Sequence, residues 1–401
     1  MKRILALLLS AALVCALLAG CGTQTGGRSD SAAAGENSAA SGPDAGTADP
    51  DESTGAEDAE GPVAAPSAID ALYRQYDPEA EFLTLGDTAV TWREYFYWVD
   101  YAVSLLASYG LEPEDWGAEN PVDPGYTYAE TVHDMAVNYL CQFQAIRELA
   151  EAEGVTLSAQ MQDQIDQDWA EGVASLGGEE QLTAYIESLY MTKEQYQAMY
   201  ARSLLYDSIL TARYGEDGSE TPDELCAAYA EANGLLRAKH ILLKTVDDGG
   251  NALSDEEIAA VQTTLGTILA QLAEAEDQQA LFDELMLAYS EDTGMAYYPD
   301  GYIFKDGDMV PEFYNGALAL EEGGISGPVE SSYGFHIIER LPLDYDIVYE
   351  YTNDGYAYTL RAKAAEEALN ADIFARVDAM QPQRGAAFAD FDLAAALNDI
   401  G

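Results

Sequence analysis

LLRAKHILLK, residues 235–244, and GPVESSYGFHIIERLP, residues 327–342, each set a histidine inside an apolar run. The chain has only three histidines in 401 residues, and two of them, His240 and His336, sit in these strings. An ionisable ring is costly to bury without a partner. Both strings are short, rich in Ile and Leu, and bounded by Gly or Pro, so both read as β-strands.

The stretch between them fixes the class of the domain. Ser254 with Glu257 forms a capping box for a helix over DEEIAAVQTTLGTILAQLAEAE. A second helix covers DQQALFDELMLAYS, and a third, short one covers MVPEFYNGALAL. The order is β-α-α-β-α-β-β, which implies a four-stranded antiparallel sheet with helices packed on it, an α+β domain over 235–342.

Upstream, residues 80–90 read as a hairpin turning at Gly86-Asp87. Capping pairs then open a series of helices: Thr91 with Glu94, Thr127 with Glu130, and Thr192 with Gln195. Thr221, Pro222 and Glu224 open another, with Pro at the first helical position, where its missing N–H costs nothing. Glycines at 154, 215 and 234 stop helices with a left-handed cap. Residues 67–234 therefore read as a helical domain. Beyond Pro342 the chain returns to helix, most clearly in YTLRAKAAEEALNADIFARVDAM. A helical segment over 343–401 that packs back on 67–234 would make 235–342 an insertion.

The first 66 residues are expected to lie outside the folded domains. Residues 1–20 have a basic start at Lys2 and Arg3 and then an apolar stretch, the pattern of a signal peptide. Residues 21–66 are Gly, Ser, Ala, Asp, Glu, Thr and Pro with almost no large apolar side chains, a composition that stays disordered and serves as a tether. The end of the apolar stretch, LLAGC, resembles a bacterial lipobox, which implies cleavage before Cys21 and a lipid on its sulfur. An ordinary secretory peptide, with Cys21 incidental, is the alternative.

Eighteen basic residues stand against 72 acidic ones, a net charge of −54. That excludes nucleic acid as a partner, which needs a basic footprint. It also excludes electrostatic docking on anionic lipid. Of the four cysteines, Cys141 and Cys226 fall in helical contexts and read as buried thiols. No CxxC, HExxH, GxSxG or phosphate-cradling glycine loop is present, so neither a metal nor a cofactor is expected.

Four stretches in one order carry a resemblance: RAKHILLK, LMLAYSED, GDMVPEFYNGALAL and GGISGPVESSYGFHII. Residues 235–342 resemble the parvulin family of peptidyl-prolyl cis/trans isomerases. With the lipobox and the helical flanks, the chain is similar to extracytoplasmic foldase lipoproteins of the PrsA type and, in plan, to SurA-type chaperones. The resemblance implies an all-helical chaperone domain with an inserted parvulin domain, anchored to a bacterial cell membrane through Cys21. It also implies unfolded or partly folded secreted polypeptides with X-Pro segments as partners. It places His240, His336 and Asp292 at the catalytic centre, Met309 and Phe313 in the wall of the proline pocket, and Ser331 at the rim. The family often has GGDLG before the pocket helix, where this chain has YPDGY over 298–302. Gly301 takes the place of a pocket-closing Leu, and Tyr302 or Ile303 is left to fill the space. After the first strand, LLKTVDDGG offers one lysine and two acids, which argues against phosphorylated substrates.

The chemistry suits such a residue set. Rotation about a peptide bond faces a barrier of about 18–20 kcal/mol. For X–Pro it takes tens to hundreds of seconds. No covalent bond breaks, so the site must only bind the twisted amide better than the planar one. His240 and His336 are expected to form a hydrogen-bonded pair on adjacent strands that fixes both tautomers, with Asp292 beside them. Each residue also has a plainer reading. The histidines could be a self-satisfied core pair, Asp292 a turn residue, and Met309 with Phe313 ordinary core at i, i+4 spacing. Two other functions stay in view: a holdase chaperone with an inactive parvulin domain, and a solute-binding lipoprotein.

Overall fold

In this computed structural model, residues 68–351 and 357–399 are described. The signal peptide, the tether and Cys21 lie outside them. In chain order the elements begin with α1 (Ala68–Tyr73), β1 (Glu81–Leu85), β2 (Thr88–Thr91), α2 (Trp92–Ser108) and α3 (Tyr128–Glu153). Next come α4 (Ala159–Leu176), α5 (Glu179–Ser188), α6 (Lys193–Tyr214) and α7 (Asp223–Asn233). The following stretch holds β3 (Leu236–Lys244), α8 (Asp255–Glu274), α9 (Gln278–Tyr289), β4 (Tyr302–Phe304), α10 (Pro311–Leu318), β5 (Val329–Ser331) and β6 (Gly334–Leu341). The last are β7 (Val348–Tyr351), β8 (Ala357–Thr359), α11 (Leu360–Ala379), β9 (Gln383–Arg384) and α12 (Leu393–Asn398).

The described residues form two compact units. One holds residues up to Cys141, Gln160–Ser203 and the stretch from Met380 onward; the other holds Gln142–Ala159 and Leu204–Ala379.

In the first unit, β1 and β2 form the expected hairpin, turning at Gly86 with φ +59°. Thr91 opens α2 with a reciprocal cap: its hydroxyl accepts from Glu94 N, and the Glu94 carboxylate accepts from Thr91 N at 2.8 Å. Buried Trp92, Tyr95, Phe96, Val99, Ala102 and Leu106 line one face of α2. The third strand of this sheet is β9, with Leu83 opposite Arg384 and Thr84 opposite Gln383. Phe388, just beyond it, stacks on Trp92 at 5.3 Å between ring centroids. Part of the aromatic content of this unit is turned inward: Phe82, Trp92, Tyr95, Phe96 and Phe388 are all fully buried, whereas Tyr109 and Tyr185 are exposed.

In the second unit the parvulin-like stretch folds in the expected order, and its sheet runs β4-β3-β6-β5 with every neighbour antiparallel. Both faces are covered, which is why β3 and β6 read as apolar runs. Ile241, Leu243 and Ile337 pack on Leu265, Ile268 and Leu272 of α8 and Phe282, Leu285 and Met286 of α9. Leu236, Ala238 and Ile338 face Phe313 and Ala317 of α10. The helix α10 comes close because residue 316 is Gly: a Cβ there would lie 3.0 Å from the side chains of Ile338 and Val329. α11 packs on α7 within the same unit.

Several local expectations differ. Pro222 is the N-cap of α7, not its first helical residue, and no side chain caps that end. The Thr221 hydroxyl, buried, donates instead to Gly218 O at 2.6 Å. Gly334 is the first residue of β6, paired with both Ser331 and Lys244, and Ser332 and Tyr333 make the turn from β5. Its φ of +144° and its contact with the Leu243 carbonyl leave no room for a Cβ. The region after Pro342 is helix only in part, since β7 and β8 form a hairpin there. Cys141 and Cys226 are buried free thiols, and burial pushes the Cys141 thiol up to about 11.

Candidate active site

Strand register brings the two histidines together. On β3 and β6, His240 stands opposite Ile338 and His336 opposite Leu242. The two rings are therefore diagonal neighbours on one face of the sheet. Both are buried, at 6% and 3% exposure. Their planes lie 12° apart and their Nδ1 atoms 2.9 Å apart.

The pair is extended at each end. His240 Nε2 lies 2.7 Å from Asp292 Oδ2, and His336 Nε2 lies 2.7 Å from the Ser331 hydroxyl. Asp292 sits just after α9, as the N-cap of a short 3₁₀ turn over Thr293–Ala296. Its Oδ1 accepts from Gly294 N at 2.9 Å, while Oδ2 accepts the Tyr302 hydroxyl at 2.8 Å as well as facing His240. One oxygen makes the turn and the other faces the histidines. Ser290 ties the loop to the sheet: Leu242 N donates to its hydroxyl at 3.1 Å.

The electrostatics set the direction of the row. Burial pushes the Asp292 carboxyl upward, but hydrogen bonds from His240, Tyr302 and Gly294 outweigh it and hold the group at about 2. Asp292 is thus a carboxylate, and the ring nitrogen facing it carries the proton. Burial, aided by the neighbouring His240, pulls His336 down to about 4 against the opposing pull of Asp292. Where each ring carries one proton and His240 Nε2 directs its own at Asp292, the bonds run one way: Ser331 O–H to His336 Nε2 and His336 Nδ1–H to His240 Nδ1. Burial and then Asp292 raise the Tyr302 phenol, so it remains a donor.

An apolar wall stands beside this row. Phe313 lies edge-on to both rings, its centroid 4.9 Å from that of His240 and 5.5 Å from that of His336. Met309, half-buried, packs on the same cluster. A Cβ at Gly301 would press on the Ala238 carbonyl and the Leu341 side chain, so no side chain fits there; the Tyr302 ring packs against the clusters on both faces of the sheet, and Ile303 turns away into a cluster with Ala230, Leu235 and Leu360. Asp292, His240, His336 and Ser331 thus form one hydrogen-bonded row, with the Phe313 ring edge-on to both histidines and Met309 adjoining. The Tyr302–Asp292 bond is not legible in the sequence, because a tyrosine at a strand start signals packing and not a hydroxyl partner ten residues away. Cys21 lies outside the described residues.

Residues 240–341 match the sequence pattern of the rotamase family, described as the PPIC-type PPIase domain. The foldase protein PrsA of Oceanobacillus iheyensis is 35% identical over 164 residues, covering 40% of this chain and 46% of that protein. The chaperone SurA of Thiobacillus denitrificans is 35% identical over 132 residues, covering 33% of this chain and 28% of that protein. The matches thus span less than two thirds of either relative. The crystal structure of PrsA from Bacillus subtilis aligns over 65% of this chain and 90% of its own, at 22% identity and a TM-score of 0.23. The histidine-bearing sheet of the second unit belongs, on its sequence, to a parvulin domain of the PPIC-type peptidyl-prolyl isomerase family.

Proposed function

We propose that this protein is a peptidyl-prolyl cis/trans isomerase and chaperone that assists the folding of secreted polypeptides outside the cytoplasmic membrane of a bacterium. The reading rests above all on one observation: the hydrogen-bonded row from Ser331 to Asp292 runs beside the apolar wall of Phe313 and Met309. In this reading the proline ring lies against Phe313 and Met309, and the carbonyl before it swings past the histidine pair. As the amide twists, nitrogen regains its lone pair and the C–O regains carbonyl character. Fixed dipoles in a site with little water favour that less delocalised form. His240, His336 and Asp292 supply the dipoles, and Ser331 holds the outer ring in its tautomer. Foldase and chaperone, the names of the relatives above, agree with this assignment.

Unphosphorylated clients fit the rim. Lys244 lies 3.7 Å from Asp248, and its backbone N–H donates to the Glu291 carboxylate at 2.6 Å. A phosphate there would meet carboxylates. The lipid anchor at Cys21 is part of the proposal and rests on residues 18–21.

The test is NMR exchange in a proline tetrapeptide with the full chain added. Accelerated cis/trans exchange supports the isomerase; exchange at the uncatalysed rate across varied peptides removes it. The holdase reading draws on the Gly301-Tyr302 departure. It is selected if aggregation suppression survives Met309→Ala with Phe313→Leu while the parent chain shows no isomerisation.

A further inference from the structure

We infer that Tyr302 is a positioning residue: its hydroxyl holds Asp292 in the orientation and charge state that fix the donor direction through His240, His336 and Ser331. The inference builds on the proposed isomerase site and adds a group at the end of the row opposite Ser331.

Three observations carry it. Tyr302 opens the edge strand β4 and pairs with Ala238 on β3, two residues from His240. Its ring is wedged among apolar side chains on both faces of the sheet, and its centroid lies 6.2 Å from that of His240. From there the hydroxyl donates to Asp292 Oδ2, the same oxygen that faces His240 Nε2. The second observation is the room made for that hydroxyl. A Cβ on Gly294 would overlap the Tyr302 hydroxyl oxygen. Gly294 has no left-handed φ that would demand glycine. The space, not the backbone, needs glycine at 294. The third is the carboxylate's remaining contacts. Gly294 N takes Oδ1, so Oδ2 has two donors, His240 and Tyr302. With the tyrosine removed, His240 is the sole side-chain donor among these contacts holding Oδ2.

Two substitutions separate this role from simple packing. Tyr302→Phe keeps the ring and removes the hydroxyl. Gly294→Ala keeps the backbone donor and displaces the hydroxyl. Each should raise the titration midpoint of the Asp292 carboxyl by about one pH unit, the size expected for one lost charge-assisted hydrogen bond. Each should also blur the single tautomer pattern of His240 and His336, read from the side-chain ¹⁵N shifts of the full-length chain. Prolyl-peptide kcat should fall roughly 5- to 10-fold with KM nearly unchanged, as expected for a group that acts through another. In the Tyr302→Phe background, Gly294→Ala should add little, because the atom it collides with is gone. Equal and additive effects of Gly294→Ala in both backgrounds would overturn the inference. So would an unchanged Asp292 midpoint with unchanged histidine shifts in Tyr302→Phe. If the parent chain shows no isomerisation, the isomerase reading fails, while the carboxyl midpoint and the ¹⁵N shifts still decide the role of Tyr302.

Discussion

His240 and His336 meet nitrogen to nitrogen, Nδ1 to Nδ1 at 2.9 Å, so one ring can donate only if the other accepts. Neither ring can be exchanged without leaving the other short of a partner in the core.

His336→Ala should therefore cost more than its lost packing. It orphans the buried His240 Nδ1, and an unsatisfied buried polar group costs about 1–3 kcal/mol. The urea midpoint of the second unit should fall accordingly. A loss below about 0.5 kcal/mol would mean that water replaces the ring without penalty.

Stability should depend on pH in two stages. His336 and His133 are each held near 4, both chiefly by burial, with Arg384 adding to the effect at His133. Both values lie below the ordinary 6.5 of histidine, so the unfolded chain binds more protons as the pH falls from about 6.5 to about 4. Stability is full above that window and declines within it, with a slope of about 1.4 kcal/mol per pH unit for each histidine. Asp292, held near 2, adds a loss between about 4 and 2, where its carboxylate is protonated. Urea titrations at stepped pH check the stages, and His133→Gln should remove roughly half of the first slope.

Ser331→Ala removes the hydroxyl that donates to His336 Nε2 and leaves the fold alone, since the residue lies on the short edge strand β5. Peptide exchange should slow several-fold, with a stability change of about 1 kcal/mol or less. Ser331→Thr retains the donor and should restore most of the rate. Equal rates for alanine and threonine would detach Ser331 from the site.

Met309 and Phe313 should behave differently although both form the wall. Phe313 is 3% exposed, so Phe313→Ala should cost about 3–5 kcal/mol and threaten the domain itself. Met309 is half-buried, so Met309→Ala should chiefly raise KM in the peptide assay. A drop in thermal midpoint for Met309→Ala as large as that for Phe313→Ala would make it core and not wall.

Cys21 should take up labelled fatty acid when the chain is expressed in a lipoprotein-processing bacterium, and Cys21→Ala should abolish the label. A labelled Cys21→Ala variant would place the lipid elsewhere.

The sequence was most readable where local chemistry dictates structure. Capping pairs such as Thr91–Glu94 and Ser254–Glu257 settle helix starts within four residues, and the apolar strings around His240 and His336 announce strands covered on both faces. The strings only raise the question of why two histidines lie in them; the pairing of His240 with His336 follows from the resemblance to the parvulin core. Reading failed where geometry is settled at a distance. β9 is two polar residues long and becomes a strand only because β1 offers a free edge. Thr221 looked like a cap, but burial turned its hydroxyl back on Gly218. The Tyr302–Asp292 bond depends on the space at Gly294, which no spacing rule encodes.

The pairing of β1 with β9 also has a temporal side. Thr84 and Gln383 are 299 positions apart, whereas every strand of the histidine-bearing sheet falls between residues 236 and 341. A chain emerging from the ribosome can close that sheet while β9 is still unsynthesised. The first unit, begun earliest, must wait with β1 exposed along one edge until residue 384 arrives. The region closest to the start of the fold is thereby the last to be completed.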